Sequence, residues 1–144
     1  MQDRFKYRVW KKYNCPSYQG HKPEMFYNAE KTYDLTTNQI PENCFNDILE
    51  NEKEYIVMQC TGLKDKNGEL IYEGDIVTYE KSDFTNKLKK GIVKYYQNYC
   101  YFYVEVEKTK WARPFNTIPD RQYLEVIGNI YENPELLESE PTNE

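Results

Sequence analysis

Residues 4–9, Arg4-Phe5-Lys6-Tyr7-Arg8-Val9, alternate strictly between basic and apolar side chains. That period of two predicts a half-buried strand, with Phe5, Tyr7 and Val9 inward and Arg4, Lys6 and Arg8 outward. Trp10 follows, then turn-forming residues over 14–23. Met25-Phe26-Tyr27 suits a short return strand. Pro41 pre-sets the first turn of a short helix over 42–51. Strand signals then crowd together. Residues 55–60 form an apolar, β-favouring run, and Asp65-Lys66-Asn67-Gly68 predicts a tight turn, because Asn-Gly tolerates positive φ. Glu73-Gly74-Asp75 predicts a second turn, leading into Ile76-Val77-Thr78-Tyr79. Residues 91–96 form the next strand. Gln97-Asn98 predicts a tight hairpin onto residues 99–107, where Phe102, Val104 and Val106 alternate with Tyr101, Tyr103, Glu105 and Glu107. Residues 124–131 form the last strand, and Pro134 opens a helical turn. Residues 138–144 have little apolar anchorage and are expected to fray.

Several short strands joined by turns predict a mainly β chain built on a small SH3-like barrel, with an N-terminal β-containing extension and short helical turns. The expected organisation is a variable N-terminal lobe over 1–54, a barrel core over 55–131 and an acidic tail over 132–144. Composition agrees with strands. Of 144 residues, 15 are Tyr, 6 Phe and 2 Trp, and aromatic side chains favour pleated surfaces. Ala29 and Ala112 are the only alanines, which argues against a helical bundle.

The net charge of −5 is uneven. Glu132, Glu135, Glu138, Glu140 and Glu144 give the tail acids without a base. Residues 84–113 carry Lys87, Lys89, Lys90, Lys94, Lys108, Lys110 and Arg113 against Glu105 and Glu107 only. A basic aromatic stretch inside a neutral body argues against a general DNA binder but leaves a local patch. No apolar run spans a bilayer, and residues 1–12 lack the apolar core of a signal peptide, so a cytoplasmic protein is expected.

Residues 58–77, MQCTGLKDKNGELIYEGDIV, resemble the central motif of the YopX family, small proteins encoded mostly by bacteriophages and prophages. Phe5-Lys6-Tyr7-Arg8-Val9-Trp10 is similar to that family's opening strand, and residues 124–137, LEVIGNIYENPELL, to its ending. The resemblance reaches both ends and the middle, and departs over 11–54 and 80–122. It implies an SH3-like barrel, an oligomer and a bacterial host cell. No catalytic residues are established for the family, so none is carried over.

The residues themselves speak against an enzyme. Gly20, Gly62, Gly68, Gly74, Gly91 and Gly128 are scattered and make no phosphate-cradling loop. A nucleophile needs a base, and the single histidine, His21, sits in a turn-like Gly20-His21-Lys22-Pro23. Asp65, Glu69, Glu73 and Asp75 lie at turns, where carboxylates cap backbone amides. Cys15, Cys44, Cys60 and Cys100 include no Cys-x-x-Cys pair, so no zinc site, metal or cofactor is expected. They read as reduced thiols, mostly buried as small apolar residues, with Cys60 and Cys100 inside strand-like runs. What remains is a contact surface. Tyr101 and Tyr103 are expected to face outward, with Tyr99, Trp111, Arg113, Lys89 and Lys90 nearby. Interfaces enrich Tyr, Trp and Arg, so a non-enzymatic, self-associating protein-binding module is the expected function. Its partner would be a host or phage protein. The alternative is single-stranded nucleic acid, which stacks on aromatic rings and needs cations for its phosphates.

Overall fold

The computed structural model describes residues 3–14, 19–31, 45–80, 88–106, 112–114 and 124–138. The expected fraying tail from Ser139, together with Trp111, Cys15, Cys44 and Pro41, lies outside those residues. The chain divides into two compact units, Met1–Cys60 and Thr61–Glu144. Its class is the expected one: mainly β, with few helical residues and a curled antiparallel sheet forming a half-barrel. No helix among the described residues is long and apolar enough to cross a membrane.

In the first unit, a 3-10 turn at Asp3–Phe5 precedes β1, Tyr7–Lys11. β1 runs antiparallel to β2, Glu24–Tyr27, and to the first part of β3, Tyr55–Lys64. Two further pieces are a 3-10 turn at Ala29–Lys31 and α1, Phe45–Glu50, within the stretch where a helix was expected. Val9, Ala29 and Ile48 form the core here, with Tyr7, Tyr55 and Val57 packed against them.

The strict alternation of the first strand misplaces two side chains, Phe5 and Arg8. Phe5 is exposed because it belongs to the 3-10 turn rather than to the strand. Arg8 is 2% exposed and Lys11 1% exposed. β1 has a neighbour on each side, so Arg8 stands opposite both Tyr27 and Met58. Long cationic side chains lay apolar stems over such surfaces, and the Arg8 guanidinium carbon reaches 6.0 Å from the Tyr27 ring centre. The Lys11 ammonium stands 4.6 Å from the Tyr13 ring and 5.6 Å from the Tyr55 ring. Tyr13 in turn stacks on His21 at 5.0 Å and donates its hydroxyl to Glu24.

In the second unit, β3 ends and the chain turns at Asp65-Lys66-Asn67-Gly68 into β4, Leu70–Tyr72. Gly68 has φ +83°, the left-handed conformation that Asn-Gly predicted. Then come β5, Asp75–Glu80, β6, Leu88–Tyr96, β7, Tyr101–Val106, β8, Ala112–Pro114, and β9, Glu125–Asn129. They form one antiparallel sheet in the order β8-β7-β6-β5-β9. Ile71, Val77, Tyr79, Val93, Val104 and Leu124 form its core, with Leu63, Phe102, Val106 and Val126 against them. Gly91 pairs with Val106 where a Cβ would press on Val104 and stand 2.8 Å from the Glu105 carbonyl, so the close approach of β6 to β7 requires glycine.

Carboxylates and carboxamides hold the turns of this unit. Asp65 Oδ1 accepts from the amides of Asn67 (2.8 Å) and Glu69 (2.9 Å), and Oδ2 accepts from Val126 (2.9 Å). Asp75 Oδ2 accepts from the Tyr72 amide at 2.8 Å. Asn129 Oδ1 accepts from the amides of Tyr131 and Glu132, and Asn133 Oδ1 from that of Asn129. Each satisfies backbone donors that would otherwise lose hydrogen bonds on burial. Asp65 and Asp75 therefore cap amides. No group of three or more His, Cys, Asp or Glu among the described residues is placed to hold a metal.

Candidate partner interface

The β6–β7 hairpin carries five of the residues singled out as contacts, Lys89, Lys90, Tyr99, Tyr101 and Tyr103. Its register pairs Tyr96 with Tyr101, Tyr95 with Phe102, Lys94 with Tyr103 and Val93 with Val104. Side chains of paired residues share a face. Val93, Val104 and Phe102 therefore belong to the core side, and Tyr96, Tyr101, Tyr103 and Lys94 to the opposite one. Phe102 and Val104 face the core as the alternation required.

The hairpin loop differs from the expected one. It holds four residues, 97–100, not two, and β7 starts at Tyr101. A two-residue loop needs positive φ at its centre, for which Gln97 is unsuited. Here the Tyr99 amide bonds the Tyr96 carbonyl at 3.2 Å, and Cys100 takes φ 53°. Cys100 is therefore exposed in the loop rather than buried in a strand. Cys60, in β3, is buried as expected. Lengthening the loop by two residues keeps the parity of pairing, which is why the tyrosines stay on one face.

Four rings gather there. Tyr96 lies 4.9 Å from Tyr99, 5.8 Å from Tyr101 and 6.0 Å from Tyr103. Tyr99 stacks on Tyr101 at 6.1 Å, and Tyr101 meets Tyr103 edge-on at 6.4 Å. Tyr99 is 67% exposed and Tyr96 38%. Tyr96 was not singled out as a contact. Its signal was the odd separation from Tyr101 and Tyr103, which puts it on their face for either even loop length. On the other face, Tyr95 is exposed and packs 5.0 Å from Phe102. A side-chain hydrogen bond with Cys100 raises its phenol above the usual value.

The cations do not gather with the rings. Lys90 is 5% exposed, and its ammonium donates to the Leu136 carbonyl. Its amine is thereby drawn to the chain's own backbone, contrary to the expected contact role. Lys89 is half-buried and pairs with Tyr79. Lys94 is exposed and ion-paired with Glu105. In β8, Arg113 pairs with Val104 and Pro114 with Tyr103. Trp111, Lys87, Lys108 and Lys110 lie outside the described residues. Among the described residues, the exposed face is thus aromatic, with one neutralised cation.

Comparison with known proteins places the whole chain. No curated protein matches it. The crystal structure of protein EF1440 from Enterococcus faecalis is similar, with 27% sequence identity over 92% of this chain and 96% of that one, at a TM-score of 0.55. A family model described as YopX protein matches residues 6–138, so the three motifs read from the sequence are joined in one continuous match, and the chain belongs to the YopX family.

Proposed function

We propose that this chain is a non-enzymatic accessory protein of a phage or prophage, acting in the cytoplasm of the bacterial host. It works as an oligomeric protein-binding module. Its contact surface is the tyrosine face of the β6–β7 hairpin. The observation that carries this reading is the grouping of Tyr96, Tyr99, Tyr101 and Tyr103 on one accessible face. Large aromatic side chains with a polar tip supply contact area at low entropic cost and dominate interface energetics. Nucleic acid suits this face less well than the sequence suggested, because Lys90 and Lys94 are already engaged and phosphates require free cations.

Light scattering at fixed concentration tests the reading. Tyr101→Ala combined with Tyr103→Ala is expected to lower the oligomeric state, and raising salt to change it only slightly. An assembly that keeps its size in the double variant but dissociates in salt would move the interface to the charged segments.

A further inference from the structure

Asn67-Gly68 is the one asparagine–glycine step in the chain. Glycine puts no side chain beside its own nitrogen, so that nitrogen can reach the carboxamide of the residue before it. Asn67 and Gly68 are both exposed, and nothing lies within 4 Å of a Cβ built on Gly68. Water and base therefore have access. The folded turn nevertheless engages both groups that would react. The Gly68 amide donates to the Asp65 carbonyl at 3.1 Å. The Asn67 carboxamide nitrogen donates to Glu125 Oε1 on β9 at 3.4 Å. Asp65 Oδ1 holds the amides of Asn67 and Glu69, which fixes the main chain on either side of the step. β9 is tied to the same turn three more times. The Lys66 amide donates to the Leu124 carbonyl at 2.8 Å, the Val126 amide to Asp65 Oδ2 at 2.9 Å, and the Lys66 ammonium pairs with Glu125 at 2.9 Å.

We propose that Asn67 is a deamidation site gated by the last strand, slow while β9 is docked and fast once it lifts away. The site is independent of the tyrosine face and of any partner. In the reaction the Gly68 nitrogen gives its proton to solvent base and bonds to Asn67 Cγ. The Cγ–Nδ2 bond breaks, and ammonia leaves as it takes up a proton. Water then opens the five-membered succinimide at either carbonyl, which leaves aspartate or isoaspartate at 67. Attack requires the Gly68 amide to let go of the Asp65 carbonyl and the Asn67 carboxamide to let go of Glu125. It also passes through an amide anion, which the neighbouring carboxylates of Asp65 and Glu125 disfavour. Local opening of β9 removes Glu125 and loosens the Asp65 cradle together. Either product puts a carboxylate where Asn67 offered a donor to Glu125, so attraction becomes like-charge repulsion. Isoaspartate also adds a methylene to the main chain inside the span that Asp65 Oδ1 bridges from Asn67 to Glu69. The reaction therefore weakens the seat of β9, and redocking does not reverse it.

The test incubates the full chain at mildly alkaline pH, in native buffer and in urea that unfolds it. Mass spectrometry follows the peptide that holds Asn67, and enzymatic methylation counts isoaspartate. Asn67 is expected to react before any other asparagine, to give both products, and to react about tenfold or more slowly in the folded chain. Glu125→Ala frees the carboxamide and should raise the folded rate several-fold while leaving the rate in urea unchanged. Gly68→Ala places a methyl beside the attacking nitrogen and should slow the reaction in urea several-fold. In the reacted, refolded chain the Val126 amide should exchange its hydrogen about tenfold faster than in the parent. Equal rates in native buffer and in urea would overturn the proposal. So would aspartate formed without isoaspartate, which would mean direct attack by water on the side chain. A folded Glu125→Ala chain that reacts no faster than the parent, or a Val126 amide whose exchange is unchanged by the reaction, would remove β9 as the gate.

Discussion

Among the described residues of the unit 61–144, most of the polar side chains that go inside are carboxylates and carboxamides. Among those of the unit 1–60 they are cations. Asp65, Asp75 and Asn129 are short, and each reaches backbone amides within a few residues of itself. Lys90 is the exception there, with its ammonium on a carbonyl. Arg8 and Lys11 are long, and their charged ends lie by tyrosine rings. A short acceptor fixes the turn that contains it, so its position follows from local sequence. A long cation can cover apolar surface with its stem and find its partner elsewhere, so local sequence says little about where it goes.

The sharpest way to break that contrast is at Asp65. Asp65→Ala leaves three amide donors without their acceptor and is expected to cost about 3 kcal/mol or more. Asp65→Asn, which keeps one acceptor oxygen, should cost less. An unchanged urea midpoint for the alanine variant would mean that water replaces the carboxylate at no cost, and the turn would not be an organising element.

Gly68→Val comes next. Nothing lies within 4 Å of a Cβ built there, so any loss reports backbone strain alone. A cost of about 1–2 kcal/mol is expected for a β-branched residue at this positive φ. Thermal melting within a degree or so of the parent would contradict it.

The cations of the other unit should respond more weakly. Lys11→Met keeps the stem and removes the charge. The attraction of the rings is offset by the desolvation that a buried ammonium suffers, so stability is expected to stay within about 1 kcal/mol. A loss well beyond that, in the same denaturant series, would show that the ring contacts outweigh burial and that the two units are held by equally demanding polar groups.

The smallest effect concerns a single phenol. Tyr95 holds its proton more tightly than an ordinary tyrosine, first through the hydrogen bond with Cys100. The folded chain therefore binds that proton more tightly than the unfolded one. The resulting stabilisation is complete below the ordinary value of 10.0 and fades as pH rises through the folded value. Cys100→Ala should move the titration of Tyr95, followed through its own ring NMR signals, to lower pH. An unaltered titration would place the cause elsewhere.

These contrasts also mark what was legible in the sequence. The turn at Asp65–Gly68 was readable because Asn-Gly and a preceding Asp carry their conformational preference locally. The core side of β7 was readable because Phe102 and Val104 obey the period of two. The burial of Arg8 was not. It depends on β1 standing between β2 and β3, a fact of long-range pairing. The four-residue hairpin loop depends on Cys100 accepting a positive φ, which no cysteine announces. The tyrosine cluster lay between these cases. The parity that joins Tyr96 to Tyr101 and Tyr103 was present in the spacing, but the angles between the rings were not. The engagement of Lys90 with Leu136 was invisible for the same reason as the burial of Arg8.

The Asp65 carboxylate also bears on the order in which the chain is assembled. Two of its donors are two and four residues away, and the third, Val126, is sixty-one residues away. A turn closed by neighbours forms on a far shorter timescale than pairing between distant segments. Asp65 is therefore expected to be set in place by Asn67 and Glu69 long before β9 arrives, with one oxygen still open to a newcomer. The final strand would then dock onto an acceptor already oriented, so part of the entropy of organising that junction has been lost before the long loop closes. On this view the central motif of the sequence is less a description of the finished sheet than a template that waits for its other end.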